Sequence, residues 1–425
     1  MVNKSNEKHA GTYIDLFSGC GGLSLGLGHA GWKGLFAVEK DPMAFSTFKH
    51  NMIDKDSKYA HFDWQEWLPQ EATTIQELLK KYPNELSKLK GKVDLIAGGP
   101  PCQGFSLAGM RNSNDPRNKM SQEYIKMVRI VNPKFILLEN VRGFNSVFKN
   151  GVGKAKKTPY SQIVKESIEN LGYKVYTDYV QSENFGVPQK RIRFIMVGVR
   201  KDLIRGKSGF NPFDLLTETR KEFLQDKGLL LDPVTVKDAI CDLETKRRGA
   251  KLVDYLGSSI KGFKQLDYRL PKKLTPYQAL MRKGLNGMQP CSMRLARHQK
   301  TTVEKFELIQ EISRPGVSLS DDERAIIGTK KQSICVLDSK TPSRTITTLP
   351  DDILHYKEPR ILTVRESARI QSFPDDFKFK GKYTTGGKKR TNECPRYTQV
   401  GNAVPPLVGE ALGLTLRLIE GADDV

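Results

Sequence analysis

Five short apolar runs punctuate the first two hundred residues of this chain: TYIDLF (12–17), GLFAVE (34–39), VDLIAG (93–98), KFILLEN (134–140) and RFIMVGV (193–199). Their length and near-continuous hydrophobicity read as buried strands. Between them, 42–52, 121–131 and 160–171 carry apolar residues at helical spacing. Strands alternating with helices predict an α/β sheet with helices on its faces. From about residue 201 the rhythm fades into a charged, turn-rich region, and it returns in RYTQVGNAVPPLVGEALGLTLRLIE (396–420). At 425 residues there is material for two domains. The expected division is one domain of 1–200 plus 391–425, interrupted by a second, smaller one over 201–390.

Ligands of such a sheet bind beyond the carboxyl ends of the strands. The first strand runs into DLFSGCGGLSLGLGHAG (15–31), where Gly19, Gly21 and Gly22 let backbone approach a ligand before a helix begins. A purely structural glycine turn is the plain alternative. The second strand ends in Glu39, a carboxylate able to accept both hydroxyl hydrogen bonds of a ribose, or simply a solvated strand-end acid. The turn lacks the G-x-G-x-x-G pattern and any adjoining phosphate-holding lysine. A nucleoside without a pyrophosphate therefore fits better than a dinucleotide.

The third strand leads into GGPPCQGFS (98–106). Proline fixes φ and glycine permits angles other residues avoid, so Gly98-Gly99-Pro100-Pro101 is a tightly specified turn that aims Cys102. An inert buried thiol is the usual fate of cysteine, but this polar Gly/Pro setting speaks against one. Glu139 ends an apolar strand beside Asn140, where a carboxylate is costly without a task or a partner. Arg191 and Arg193, in VPQKRIRF, stand at a strand entrance, where solvated charge is the ordinary explanation.

Taken in order, DLFSGCGGLSLGL, VEKDPMA, GGPPCQGFS, LLENVRGF, NFGVPQKRIRFIMVGVR and QVGNAVPPLV resemble the best-marked motifs of the DNA (cytosine-5) methyltransferases of bacterial restriction–modification type. The resemblance spans about 15–200 and 340–410. It implies a Rossmann-like S-adenosylmethionine-dependent methyltransferase sheet with a smaller target-recognition domain in 201–390. In catalysis it makes Cys102 the nucleophile, Glu139 the group that protonates the cytosine ring, and Arg193, supported by Arg191, the ligand of the pyrimidine oxygen. For the cofactor, S-adenosylmethionine, it implies Phe17 on the adenine, with Ser18, Gly19, Cys20, Gly21, Gly22 and Leu23 along the methionine end. Glu39 would hold the ribose beside Lys40, and Asp63 would meet the adenine amino group. Pro101, Asn402 and Ala403 complete that set. Gln103, Ser106 and Arg117 would contact DNA from a loop, 103–119, that closes over a flipped-out base.

The formal net charge of +21 favours a polyanionic partner, with a solvated basic surface as the bland alternative. Within 261–300, ten lysines and arginines face a single acid, Asp267. Arg269, Arg282, Arg294 and Arg297 are the candidate base readers there, with no ground in sequence for ranking them. The expected partner is double-stranded DNA, with a cognate restriction endonuclease acting independently. A monomer, no metal and no membrane are expected. Six scattered cysteines and no leading apolar segment point to a reduced intracellular compartment, and the resemblance implies the bacterial cytoplasm, in association with the nucleoid. A transfer-RNA cytosine-5 methyltransferase shares the catalytic set and is the alternative. Amino-group methyltransferases normally place Asp or Asn before Pro-Pro, where this chain has Gly99. A non-catalytic descendant would have lost Cys102 or Glu139.

Overall fold

Near-continuous apolar runs become strands when both their faces are covered, and in the computed structural model the central sheet has six strands. The structure describes residues 10–101, 119–147, 158–205, 209–386, 389 and 392–421. The strands are β1 (Ala10–Leu16), β2 (Trp32–Val38), β3 (Leu95–Gly98), β4 (Phe135–Val141), β5 (Tyr173–Gln181) and, past a two-residue strand β6 (Gln189–Lys190) outside this sheet, β7 (Ile192–Arg200). Their order is β2-β1-β3-β4-β7-β5, with β7 antiparallel to both neighbours and the other pairs parallel. This is a mixed α/β sheet, as the alternation of strands and helices predicts. All five apolar runs lie in it. The sixth strand, β5, has no such signal, because Lys174, Asp178 and Tyr179 leave much of it exposed.

The chain divides into two compact units, one of Met1–Gln181, Ile192–Arg220 and Val408–Val425, the other of Ser182–Arg191 and Lys221–Leu407. These limits fall at 220 and 407 rather than at 200 and 390. They also place the ten residues between β5 and β7 in the second unit, where β6 pairs in parallel with Ser343–Arg344.

In the first unit, α1 (Gly22–His29) follows β1, and α2 (Pro42–Phe48) follows β2. Asp41 caps α2 by accepting from the backbone N–H groups of Met43 and Ala44, each at 2.9 Å. The predicted helix 42–52 ends early, at Phe48, and a π-helical turn continues over Lys49–Ile53. The capped helix α3 (Ile75–Lys81) and the short α4 (Pro83–Ser87) precede β3, and α5 (Lys119–Val131) precedes β4. One face of α5, with Tyr124, Met127, Val128 and Val131, joins the apolar core. Its Tyr124 hydroxyl donates at 2.9 Å to the Ile96 carbonyl of β3. After α6 (Tyr160–Glu169), the sheet is completed by the C-terminal helix Pro406–Gly421, whose Gly413 carbonyl accepts from the Trp32 indole at 2.9 Å.

In the second unit, an antiparallel hairpin joins β8 (Lys251–Asp254) to β9 (Lys264–Asp267). In the same unit, Arg369 is fully buried and clamped between Asp242 and Asp375. Among the described residues no helix is long and apolar enough to cross a membrane.

Candidate active site

The carboxyl end of β1 turns sharply. Phe17 adopts φ 64°, a left-handed conformation that a bulky residue rarely holds without a constraint. Ser18 donates its N–H to the Val38 carbonyl at 3.0 Å, which fastens the turn to β2. Gly19 and Gly21 follow with φ of 57° and 96°, and α1 begins at Gly22. Glu39 then closes the ring: one carboxylate oxygen accepts from the Gly19 N–H at 2.9 Å, the other from the Asp41 N–H at 2.7 Å. Burial pushes the Glu39 carboxyl above its usual value, opposed by those two hydrogen bonds. Each oxygen keeps a further lone pair for an outside donor. Ser18 Oγ is buried without a partner among the described residues, and the space beside Gly19 Cα is open. A polar ring with spare acceptors and an open glycine flank suits a nucleoside bearing two hydroxyls.

Two strands away a second constellation forms. A Cβ at Gly98 would lie 2.3 Å from the Leu16 carbonyl oxygen, so only glycine lets β3 run this close to β1. A Cβ at Gly99 would come within 3.1 Å of Glu139 Oε2, so the turn passes against that carboxylate. Glu139 projects from β4, and its Oε1 accepts from Arg193 Nε at 2.8 Å. Val141 and Arg193 are direct partners across the β4–β7 ladder, which explains the register of the pair. The next residue, Asn140, donates its amide to the Pro100 carbonyl at 3.1 Å. Asn140 therefore anchors the turn two residues before Cys102, a role its neighbour's chemistry hid in the sequence.

Cys102, Gln103, Ser106 and Arg117 lie outside the described residues, as does the expected closing loop except for its last residue, Lys119, which begins α5. Pro101 is half-buried at the edge of what is described. Cys20 and Leu23 are buried, and burial pushes the Cys20 thiol up to about 12, which leaves it inert. Lys40 is exposed. Asp63 does not join the Gly19–Glu39 ring. It follows the Gly34–Phe62 bridge near the start of β2, roughly 13 Å of strand short of Glu39, and pairs with Lys33 at 3.2 Å.

Arg191 and Arg193 separate as well. Arg191 belongs to the second unit, is fully buried, and donates to the carbonyls of Gly401 at 3.2 Å and Ala403 at 3.0 Å. It is a scaffold for the backbone around Asn402, which is exposed at the end of its helix, while Ala403 is buried. Of the candidate base readers, Arg269 and Arg297 are exposed and Arg282 and Arg294 are half-buried, all in the second unit.

Sequence reasoning also missed Asp15, although a carboxylate in the middle of an apolar strand was visible. It is buried beneath the turn, accepts from Ser24 Oγ at 2.6 Å, and is raised to about 7, chiefly by burial. Among the described residues no cluster of His, Cys, Asp or Glu is arranged to hold a metal.

The family model for the C-5 cytosine-specific DNA methylases matches residues 11–417. The type II methyltransferase M.DdeI of Desulfomicrobium norvegicum is 30% identical over 409 residues, covering 94% of this chain and 86% of that protein. M1.HphI of Haemophilus parahaemolyticus, also a type II methyltransferase, is 30% identical over 406 residues, covering 94% and 85%. A solved E. coli prophage protein, described as a DNA modification methyltransferase, superposes with a TM-score of 0.61 at 24% identity, covering 97% of this chain and all of its own.

Proposed function

This chain belongs to the C-5 cytosine-specific DNA methylase family, and we propose that it moves a methyl group from S-adenosylmethionine to carbon 5 of a cytosine within a specific sequence of double-stranded DNA. The observation that carries the chemistry is the Glu139–Arg193 pair at 2.8 Å, set against Gly99 on the turn that leads to Cys102.

Cytosine carbon 5 is a poor nucleophile until the ring loses its aromaticity. The Cys102 thiolate supplies the needed addition, forming a bond to carbon 6 while an electron pair moves through the ring toward nitrogen 3. Glu139 delivers a proton to that nitrogen and recognises the neighbouring amino group. Arg193, which already orients Glu139, hydrogen-bonds the pyrimidine oxygen and stabilises the developing charge. Carbon 5 would then bond to the donor's methyl carbon as the S–CH3 bond breaks, its electron pair staying on the sulfur of a departing neutral thioether. Removal of the carbon 5 proton by a base reforms the double bond and expels Cys102 as thiolate. The target carbon is stacked inside the duplex, so the base must first rotate out.

The fit at the β1–β2 end supports the donor. Glu39 would take the ribose hydroxyls, Phe17 would face the adenine, and Ser18 to Leu23 would line the methionine end. Bound there, S-adenosylmethionine supplies an electrophilic methyl carbon on a sulfonium. The second unit would read the sequence, a restriction endonuclease acting separately would be the counterpart, and the enzyme would work as a monomer.

Duplex DNA carrying 5-fluorocytosine at the target tests the assignment. Fluorine blocks the loss from carbon 5, so after methyl transfer the enzyme should stay bonded to DNA and shift on a denaturing gel only when S-adenosylmethionine is present. The same band from Cys102→Ser would exclude that nucleophile. Bisulfite sequencing of DNA from expressing cells should show methylated cytosines in one sequence context, and unmethylated DNA would overturn the reading.

A further inference from the structure

Among the described residues of the second unit, Arg294 is held against three aromatic rings with no carboxylate beside it. Arg294 extends the β8–β9 hairpin: it bridges to Gln265, and the next residue, Leu295, donates its N–H to the Lys264 carbonyl at 2.8 Å. Its guanidinium lies 3.7 Å from the ring centre of Tyr383 and 4.0 Å from that of Phe263, with Tyr255 at 5.8 Å. Arg396 sits over Tyr383 as well, at 4.3 Å. Among the described residues, the Arg294 guanidinium makes no hydrogen bond and meets no carboxylate, and its Nε is buried without a partner.

The other three candidates have their donors or charge engaged locally, or show no such setting. Arg282 lies over Tyr268, and its Nη1 makes no hydrogen bond, but its charge is met by Asp375 at 3.7 Å. Arg297 donates to the Lys261 carbonyl at 3.1 Å. Arg269 is exposed, and no ring is described against it.

Aromatic faces attract a guanidinium, but they fix its plane without satisfying its edge. Rotamer freedom is lost in advance, and the N–H fork keeps donors that no described residue satisfies. Arg396 adds repulsion to a charge that burial already disfavours. A charge so placed lacks an acceptor with two parallel lone-pair sites.

We infer, resting on the duplex-DNA reading above, that Arg294 is a DNA-contacting residue that docks bidentately on paired acceptors of the duplex, with the Phe263–Tyr383 sandwich as its mount. Two parts of DNA offer such a pair: the O6/N7 edge of guanine in the major groove and two oxygens of a backbone phosphate.

The experiment compares wild-type enzyme with Arg294→Ala and Arg294→Lys, using target and scrambled duplexes at several salt concentrations and bisulfite sequencing of the products. S-adenosylmethionine affinity and thermal unfolding report whether each variant is folded. A guanine contact appears as a roughly 5- to 150-fold loss on the target alone with relaxed selection at one base pair, and Arg294→Lys does not restore it. A phosphate contact appears as equal weakening of both duplexes and a salt slope smaller by about one, and Arg294→Lys recovers most of it. Either supports the docking role. A folded Arg294→Ala with unchanged binding, salt slope and target preference overturns it. Should the wild type itself leave duplex DNA unmethylated, the function fails, and that result is distinct from failure of Arg294 alone.

Discussion

Glu139 and Glu39 are both carboxylates at strand ends, yet their surroundings differ, and the proposed function gives them opposite duties. Glu139 faces a guanidinium and a glycine on the turn to Cys102, whereas Glu39 is tied to two backbone N–H groups of the β1–β2 end. Glu139→Gln keeps the shape and weakens proton delivery, so turnover should fall on the order of 10²–10⁴-fold while calorimetry finds donor affinity nearly unchanged. Glu39→Ala should do the reverse, weakening donor binding before it affects the chemical step. The exchange of those two patterns would overturn both roles. Asp15 gives a separate, pH-dependent signature. An unfolded aspartate loses its proton near pH 4, but the buried Asp15 keeps its own until about 7, with Glu39 adding repulsion and Ser24 opposing the shift. Between those values the unfolded chain binds fewer protons than the folded one, so this group lowers stability as pH rises through the window. Asp15→Asn should remove that slope, and urea unfolding at pH 4.5 and 7.5 should show the variant gaining on the wild type at the higher pH. Equal pH slopes would show that burial of Asp15 is not penalised.

At the level of elements, the second unit is organised around a charge rather than an apolar cluster alone. Val364–Ile370 carries Arg369, whose guanidinium bonds Asp375 at 2.7 Å through both Nε and one terminal nitrogen and also reaches Asp242. Arg369→Met would leave two buried carboxylates short of their partner, which costs about 3–5 kcal/mol and is measurable as a lower urea midpoint. Retained stability would mean that the carboxylates relax or protonate at little cost. Elements such as β1, β3, β4 and β7 were legible because burial on both faces leaves an unbroken apolar run. β5 was not, since an edge strand with one open face mixes Lys174, Thr177 and Asp178 into its pattern. The placement of Ser182–Arg191 was illegible for another reason: it is set by pairing with Ser343–Arg344, some 150 residues away, which no local window contains. The same distance hides the contrast between Arg191 and Arg193. Two residues apart, one braces the backbone around Asn402 and the other orients Glu139. In the site, the residue types and their order were readable, whereas Asn140 and Asp15 act through neighbours that only folding brings near.

For the whole molecule, the formal charge of +21 predicts DNA binding that weakens steeply with salt. Filter binding between 50 and 200 mM salt should give a linear log–log plot, with a slope near −0.9 for each phosphate neutralised. A flat plot would confine the basic residues to solvation. A different consequence follows from the helix Pro406–Gly421, whose residues from Val408 onward complete the unit that begins with β1. The Trp32 indole waits for the Gly413 carbonyl, and the Ala30 carbonyl waits for Arg417. On the ribosome, nearly two hundred residues must be translated between Arg220 and Val408 before those partners exist. At cellular synthesis rates that delay is on the order of ten to forty seconds. During it Trp32 and Ala30 lack those partners, and the last turns of the C-terminal helix act as the latch that closes the first unit.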